Sequence, residues 1–240
     1  MRDGLAELAH VEADSAIVES GQPLVCVGEA RLGSLRLPCD GSIEGQVWGA
    51  GAALARHLLA IGLPARPEVV EIGSGTGIAG LAAAVAGASR VVLTDLPDVV
   101  PKLQRAIDSN EEAVAAADVV ALPLAWGDEQ AADAAVPYGA DLILAADVLY
   151  SGEPSVHAAL RATLVALARP RDGFVWHAYE SRWPAIVELW RKGLKGSGLE
   201  LVRESTLDPP PGIRDRQLVL EELRLAPDED AIENEENDDG

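Results

Sequence analysis

The chain has 240 residues, enough for one domain with a sizeable core, and its 39 acidic against 19 basic side chains leave a net charge of −20. Eight of the acids and no base fall in residues 227–240, but the body still stands at −12 without them, which argues against a surface that tracks phosphate backbones. No apolar run approaches the length of a membrane span.

Residues 1–20 are acidic and only weakly periodic, so no element is predicted there. Leu24 to Leu37 carries short apolar alternations that predict a small hairpin. Ala52 to Ile61 has apolar residues at helical spacing and ends at Gly62 with Pro64 beyond, both stop signals. From there strands and helices alternate. Strands are predicted at Glu68–Ile72, Arg90–Asp95, Val119–Leu122, Asp141–Ala146 and Phe174–Ala178, with late strands at Leu199–Arg203 and Gln217–Leu225. Helices are predicted at Ile78–Ala86, Val99–Asn110, Val156–Ala168 and Pro184–Leu194. Such alternation implies an α/β fold with a mostly parallel sheet. The last 14 residues, dense in charge and free of aromatics, read as a disordered tail.

Composition makes the tryptophans conspicuous. Ala alone contributes 40 residues and only nine side chains are aromatic, five of them Trp. A core of Ala, Leu and Val needs a few bulky wedges, the role expected of Trp176, Trp183 and Trp190. The two cysteines, Cys26 and Cys39, are too few for a disulfide scaffold, and the N-terminus lacks the apolar stretch of a signal peptide. A reduced intracellular compartment is expected, cytoplasm or nucleus. His57, His157 and His177 have no partners at metal-ligand spacing, so no metal site is predicted.

The strongest signal is Glu71-Ile72-Gly73-Ser74-Gly75-Thr76-Gly77, leaving a strand and entering a helix. Glycine allows a tight turn and a close ligand approach there. A dinucleotide loop would need its third glycine one residue later, where Ile78 stands. The acid Glu71, two residues before the first glycine, favours an amino group and opposes a pyrophosphate. S-adenosylmethionine (SAM) has an amino-acid end and no phosphate, so it suits this loop better than a nicotinamide cofactor. Asp95 ends the next strand 24 residues after Glu71, where a carboxylate can accept hydrogen bonds from both ribose hydroxyls.

Four further segments carry a resemblance. They are Val47-Trp48-Gly49-Ala50-Gly51, Thr94-Asp95-Leu96-Pro97 with Asn110 downstream, Ala125-Trp126-Gly127, and Ala146-Asp147-Val148-Leu149-Tyr150, with a weaker echo in Tyr179-Glu180-Ser181-Arg182. Together with the glycine loop, this series resembles the seven-β-strand SAM-dependent methyltransferases, and among them the lysine methyltransferase branch called methyltransferase family 16. The resemblance implies a Rossmann-like seven-stranded, mostly parallel sheet with helices on both faces and a small N-terminal hairpin extension. It implies an extension over 1–45, a methyltransferase domain over 46–226 and a tail over 227–240.

By the same resemblance, Trp48, Glu71, Gly73, Ser74, Gly75, Gly77, Asp95, Trp126 and Ala146 would hold SAM, with Trp126 against adenine and the Trp48 indole N–H toward the methionine carboxylate. Asp147 and Tyr150 would be catalytic, Asp147 steering and holding the acceptor amine and Tyr150 walling the channel. The family's usual Pro or larger residue is replaced by Gly49 and Gly51. The activity implied is methyl transfer to a lysine ε-amine of a protein, such as a chaperone, AAA ATPase or elongation factor, by a monomer with no nucleic-acid or membrane partner. A histidine or small-molecule amine as acceptor, and a non-catalytic SAM-binding adaptor, stand as alternatives.

Overall fold

The computed structural model describes residues 11–13, 27–210 and 217–227. The predicted tail from 228 onward lies outside the described residues. The chain opens with a small antiparallel sheet, β1 (Val11–Ala13), β2 (Val27–Leu32) and β3 (Leu35–Asp40), in the order β1-β2-β3. The predicted hairpin is therefore present, with its turn at Gly33-Ser34, where Gly33 has φ +59°; residues 24–26 of the prediction lie outside the described residues. A third strand joins it from the stretch that periodicity left unassigned.

Next come α1 (Gly49–Ile61), β4 (Glu68–Ile72), α2 (Ile78–Ala86), β5 (Arg90–Asp95), α3 (Val100–Asp108), the short α4 (Glu111–Val114) and β6 (Asp118–Pro123). The chain continues through α5 (Glu129–Ala135), β7 (Leu142–Ala146), α6 (Pro154–Ala168), β8 (Phe174–Glu180), α7 (Pro184–Lys192), β9 (Leu199–Leu207) and β10 (Leu218–Leu225). Strands β4 to β10 form one seven-stranded sheet in the order β6-β5-β4-β7-β8-β10-β9. Pairing is parallel from β6 across to β8, and β10 runs antiparallel between β8 and β9. This is the Rossmann-like architecture expected. No helix among the described residues is long and apolar enough to cross a membrane.

Strand β7 is apolar throughout because it serves two cores at once. In β7, Leu142 and Leu144 join the cluster with α1, α2 and α3, whereas Ile143 and Ala145 join the one with α5, α6 and α7. The alanine surplus explains the first layer. Buried Ala52, Ala53 and Ala55 of α1 and Ala79, Ala82 and Ala83 of α2 let two helices lie close to each other and to the sheet. Gly80 takes this to its limit, since a Cβ there would lie 2.2 Å from Leu93 Cδ2.

Asn110 docks the small sheet. Its side-chain carbonyl accepts from Arg36 N–H (2.7 Å), and its amide donates to Arg36 O and Ala106 O (both 2.6 Å). Leu32, Leu35 and Leu37 thereby reach the same core as α1 and α2. Helix α5 escaped the periodicity reading because it spans only seven residues. Its signal is a cap, Asp128, whose Oδ1 accepts from Ala131 N–H at 2.9 Å.

The second layer is organised around a buried acid. Glu221 of β10 accepts hydrogen bonds from the Tyr179 hydroxyl, the Trp190 indole N–H and Arg191 Nε, each at 2.9 Å, and is hydrogen-bonded to His177 Nδ1 at 3.1 Å. Trp190 is the fully buried wedge that its sequence context suggested. Trp176 is half-buried against the core, beside His57.

Candidate active site

Strand β4 lies between β5 and β7, so the chain leaves it in one direction and returns on its other side. At such a reversal the loops at the carboxyl ends diverge and leave a crevice. A cavity of about 630 Å³ occupies it, lined in part by Trp48, Glu71, Gly73, Ser74, Gly75 and Asp95. Trp126, Ala146, Asp147 and Tyr150 complete the set, so ten of the eleven residues singled out in the sequence line one cavity. The exception is Gly77. It is buried with φ +76°, and a Cβ would lie 3.0 Å from Leu93 Cδ1 and 3.4 Å from Leu103 Cδ2, so this glycine serves packing.

The glycine loop is braced from below. Ser74 is not an open hydroxyl: its Oγ donates to Glu71 O and accepts from Thr94 N–H, each at 3.0 Å, tying the ends of β4 and β5 together. Gly73 (φ +59°) and Gly75 (φ +53°) take left-handed conformations that favour glycine. At Gly73 a Cβ would also crowd Val148 Cγ1 (3.1 Å) and Trp126 Cζ2 (3.3 Å).

Asp95 ends β5 with its carboxylate fixed by two amides, Gly75 N–H at 2.8 Å and Leu96 N–H at 2.7 Å. Burial pushes its pKa up, against the pull of those two amides. The segment after β3 roofs this region. A Cβ at Gly75 would come within 3.0 Å of Glu44 O, and Lys102 holds the segment through Asp40 (3.0 Å) and Ser42 Oγ (2.8 Å).

Glu71, expected to face an amino group, is a buried acid at the end of β4. Burial pushes its pKa up to about 8, although Gly80 N–H donates to Oε2 at 3.0 Å and opposes the shift. The carboxyl therefore carries its proton at neutral pH when no cation faces it. Because its folded pKa lies above the unfolded value of 4.5, its contribution to stability is full below about 4.5 and is lost as pH rises through about 8. Glu71→Gln is accordingly expected to keep more of its thermal stability than wild type between pH 5 and 9. Melting temperatures across that range, without ligand, test this; parallel curves would contradict it.

Two more expectations change at the end of β7. The Trp48 indole N–H donates to Ile43 O (3.0 Å) and so is already committed within its own loop, not held out toward a carboxylate. Asp147 is in a left-handed conformation (φ +55°), and its side chain, only 4% exposed, is not a bare carboxylate awaiting an amine. Its Oδ1 accepts from Arg182 Nη2 (2.9 Å) and Glu180 N–H (3.2 Å). Among the described residues its Oδ2 has only the long 3.4 Å contact from Ala50 N–H, which leaves room for one more donor. Tyr150 is 64% exposed at the rim, its ring 5.9 Å from that of Trp126.

Residues not assigned to the site from the sequence complete the wall. Gly51 lines the cavity, and a Cβ there would lie 3.2 Å from Ile78 Cγ2, so the glycine widens the pocket floor. Trp183, expected as a core wedge, is 47% exposed and lines the mouth. The Arg182 guanidinium lies 5.0 Å from the ring centroids of both Trp48 and Trp183. The adjacent Arg-Trp pair just past a predicted strand was the available signal. Among the described residues no group of three or more His, Cys, Asp or Glu is placed to hold a metal.

A family model for lysine methyltransferases matches residues 36–188, which takes in most of β3, α1, the glycine loop and both β5 and β7 with the loops that follow them. The chain belongs to the lysine methyltransferase family. Among curated relatives, protein-lysine N-methyltransferase EFM6 of Saccharomyces cerevisiae is 31% identical over 159 residues, covering 55% of this chain and 63% of that protein. Calmodulin-lysine N-methyltransferase of Arabidopsis thaliana is 30% identical over 154 residues, covering 63% of this chain and 49% of that protein. The chain thus spans less than two thirds of the length of these relatives. A TehB-like SAM-dependent methyltransferase from Corynebacterium glutamicum superposes with a TM-score of 0.52 at 17% identity, over 72% of this chain and 88% of that one. At that identity the likeness is one of fold.

Proposed function

We propose that this lysine methyltransferase family member is a SAM-dependent enzyme that methylates a lysine ε-amine of a protein. What carries the reading is the meeting, in one cavity, of the glycine loop, the braced Asp95 and the Asp147–Tyr150 segment. The residues present fit the cofactor. A crevice of about 630 Å³ falls in the range of small-molecule sites, Asp95 offers acceptors at a strand end, and Gly73 leaves open a space that a side chain would fill. Asp95 would hold the ribose, Trp126 the adenine face, and Glu71 with the loop amides the amino-acid end. When bound, SAM supplies a methyl group activated by a sulfonium centre.

The protein's own task is to present a neutral, aligned amine. Alignment is worth roughly 7–11 kcal/mol in favourable intramolecular cases. Removing the proton of a lysine with a pKa of about 10.4 costs roughly 4 kcal/mol near neutral pH. Asp147 Oδ2 would accept a hydrogen bond from that amine, and Tyr150 and Trp183 would line its approach. We further assign one methyltransferase domain over 46–226 with 1–45 as an extension, acting as a monomer on a protein partner in the cytoplasm or nucleus.

Incubation with methyl-labelled SAM and a cell lysate tests this, with mass spectrometry to locate the label. Wild type should label lysine and Asp147→Ala should label it at least about tenfold less, the equivalent of one lost hydrogen bond to a charged group. Labelling of another residue type, or none, would refute the reading.

A further inference from the structure

Among the described residues, the charged and titratable side chains lining the cavity are Glu44, Glu71, Asp95, Asp147, Tyr150 and Arg182, of which only Arg182 is a cation. Its position is unusual for a surface-loop arginine. The side chain is 18% exposed, paired to Asp147 at 2.9 Å, flanked by Glu180 at 3.7 Å, and set 5.0 Å from each of two indole rings. Aromatic faces with a carboxylate at one end make the kind of site that binds alkylammonium ions. Here the chain fills that site with its own guanidinium.

An ammonium in such a cage meets a chemical problem. A lone carboxylate at contact distance stabilises the charged form of an amine and raises its pKa, which opposes nucleophilic attack. A carboxylate already neutralised by a guanidinium does so far less, while its second oxygen still accepts a hydrogen bond. Arginine suits the compensating role because it stays protonated throughout the working range. The bond to Oδ1 and the opening at Oδ2 match this division of labour within one carboxylate.

We propose that Arg182 is a positioning residue of the acceptor site. It occupies a cation cage made by Trp48, Trp183 and Asp147, so that an incoming amine meets Asp147 as a neutral hydrogen-bond donor and is not trapped as an ammonium. The functional half of this statement rests on the lysine-methylation reading above; the cage itself does not.

The test uses n-butylammonium chloride as probe, read by tryptophan fluorescence at pH 7 with the full-length protein. Arg182→Gln, or Arg182→Met should the first variant misfold, is expected to bind the probe at least about tenfold more tightly than wild type. That is the factor expected if the freed carboxylate shifts the equilibrium by one pKa unit. Arg182→Lys should behave as wild type, and the double variant with Asp147→Asn should lose the gain. In the lysate assay, the glutamine variant should label lysine at least about tenfold more slowly and the lysine variant near the wild-type rate.

Equal probe binding by wild type and Arg182→Gln, or tight binding that survives Asp147→Asn, would overturn the cage. Probe binding as expected with no lysine labelling by wild type would leave the cage in place and refute the methylation reading.

Discussion

Asp95→Ala is expected to weaken SAM binding by at least about tenfold in calorimetric titration, and to lower methyl transfer at SAM concentrations that just saturate wild type. The carboxylate does two jobs that alanine cannot. On the proposed reading it would offer acceptors to a diol at the end of β5, and it holds Gly75 N–H at 2.8 Å and Leu96 N–H at 2.7 Å, fixing the loops on either side of the cavity. Hydrogen bonds to charged groups are worth about 1.5–3 kcal/mol each, and roughly 1.4 kcal/mol is a factor of ten. Asp95→Asn is the informative companion, since an amide keeps one acceptor but presents a donor to one of the two backbone N–H groups. Affinity between those of wild type and alanine is expected; wild-type affinity in both variants would remove Asp95 from the site.

Glu221→Leu is expected to be the most destabilising single change outside the cavity. It would leave His177, Tyr179, Trp190 and Arg191 without their shared acceptor beneath α7. Breaking one side of a buried charged network costs about 3–5 kcal/mol, which for a chain of this size corresponds to a melting-temperature drop of roughly 6–20 °C. The pH dependence has a definite sign. Burial alone would raise the Glu221 pKa, but the bonds from His177, Trp190 and Tyr179 outweigh it and bring it down to about 2 from 4.5. Its contribution is therefore present above about pH 4.5 and lost as pH falls through about 2. The stability gap between wild type and Glu221→Gln should narrow over that interval and stay constant above it. A gap unchanged down to pH 2 would mean the carboxylate charge plays no part.

Much of the architecture was legible because it rests on local signals. The β-branched stretch at 68–72, the apolar run at 142–146 and the glycines between β4 and α2 each declare themselves within a few residues. What stayed hidden depends on partners far apart in the chain. Nothing near Asp147 announces that Arg182, 35 residues on, will take one of its oxygens. Nor does anything near Ser74 announce that its hydroxyl will be spent on Thr94. Gly77 and Gly73 look alike in the motif, yet one meets leucines and the other faces the cavity. Trp183 and Trp190 likewise share one short stretch of sequence and separate only when α7 lies down on the sheet, turning one toward the mouth and the other under the helix.

The Asn110 clamp has a lopsided bearing on how this chain can drift under mutation. Asn110 grips the main chain of Arg36 and not its side chain, which extends outward to pair with Glu29 at 2.9 Å. Position 36 presents the same N–H and C=O whatever residue other than proline stands there, so the joint tolerates nearly any exchange on that side. Position 110 has no such latitude, since among the common side chains only a primary amide of this reach both donates and accepts in one plane. One partner of the joint is open to neutral variation and the other is held.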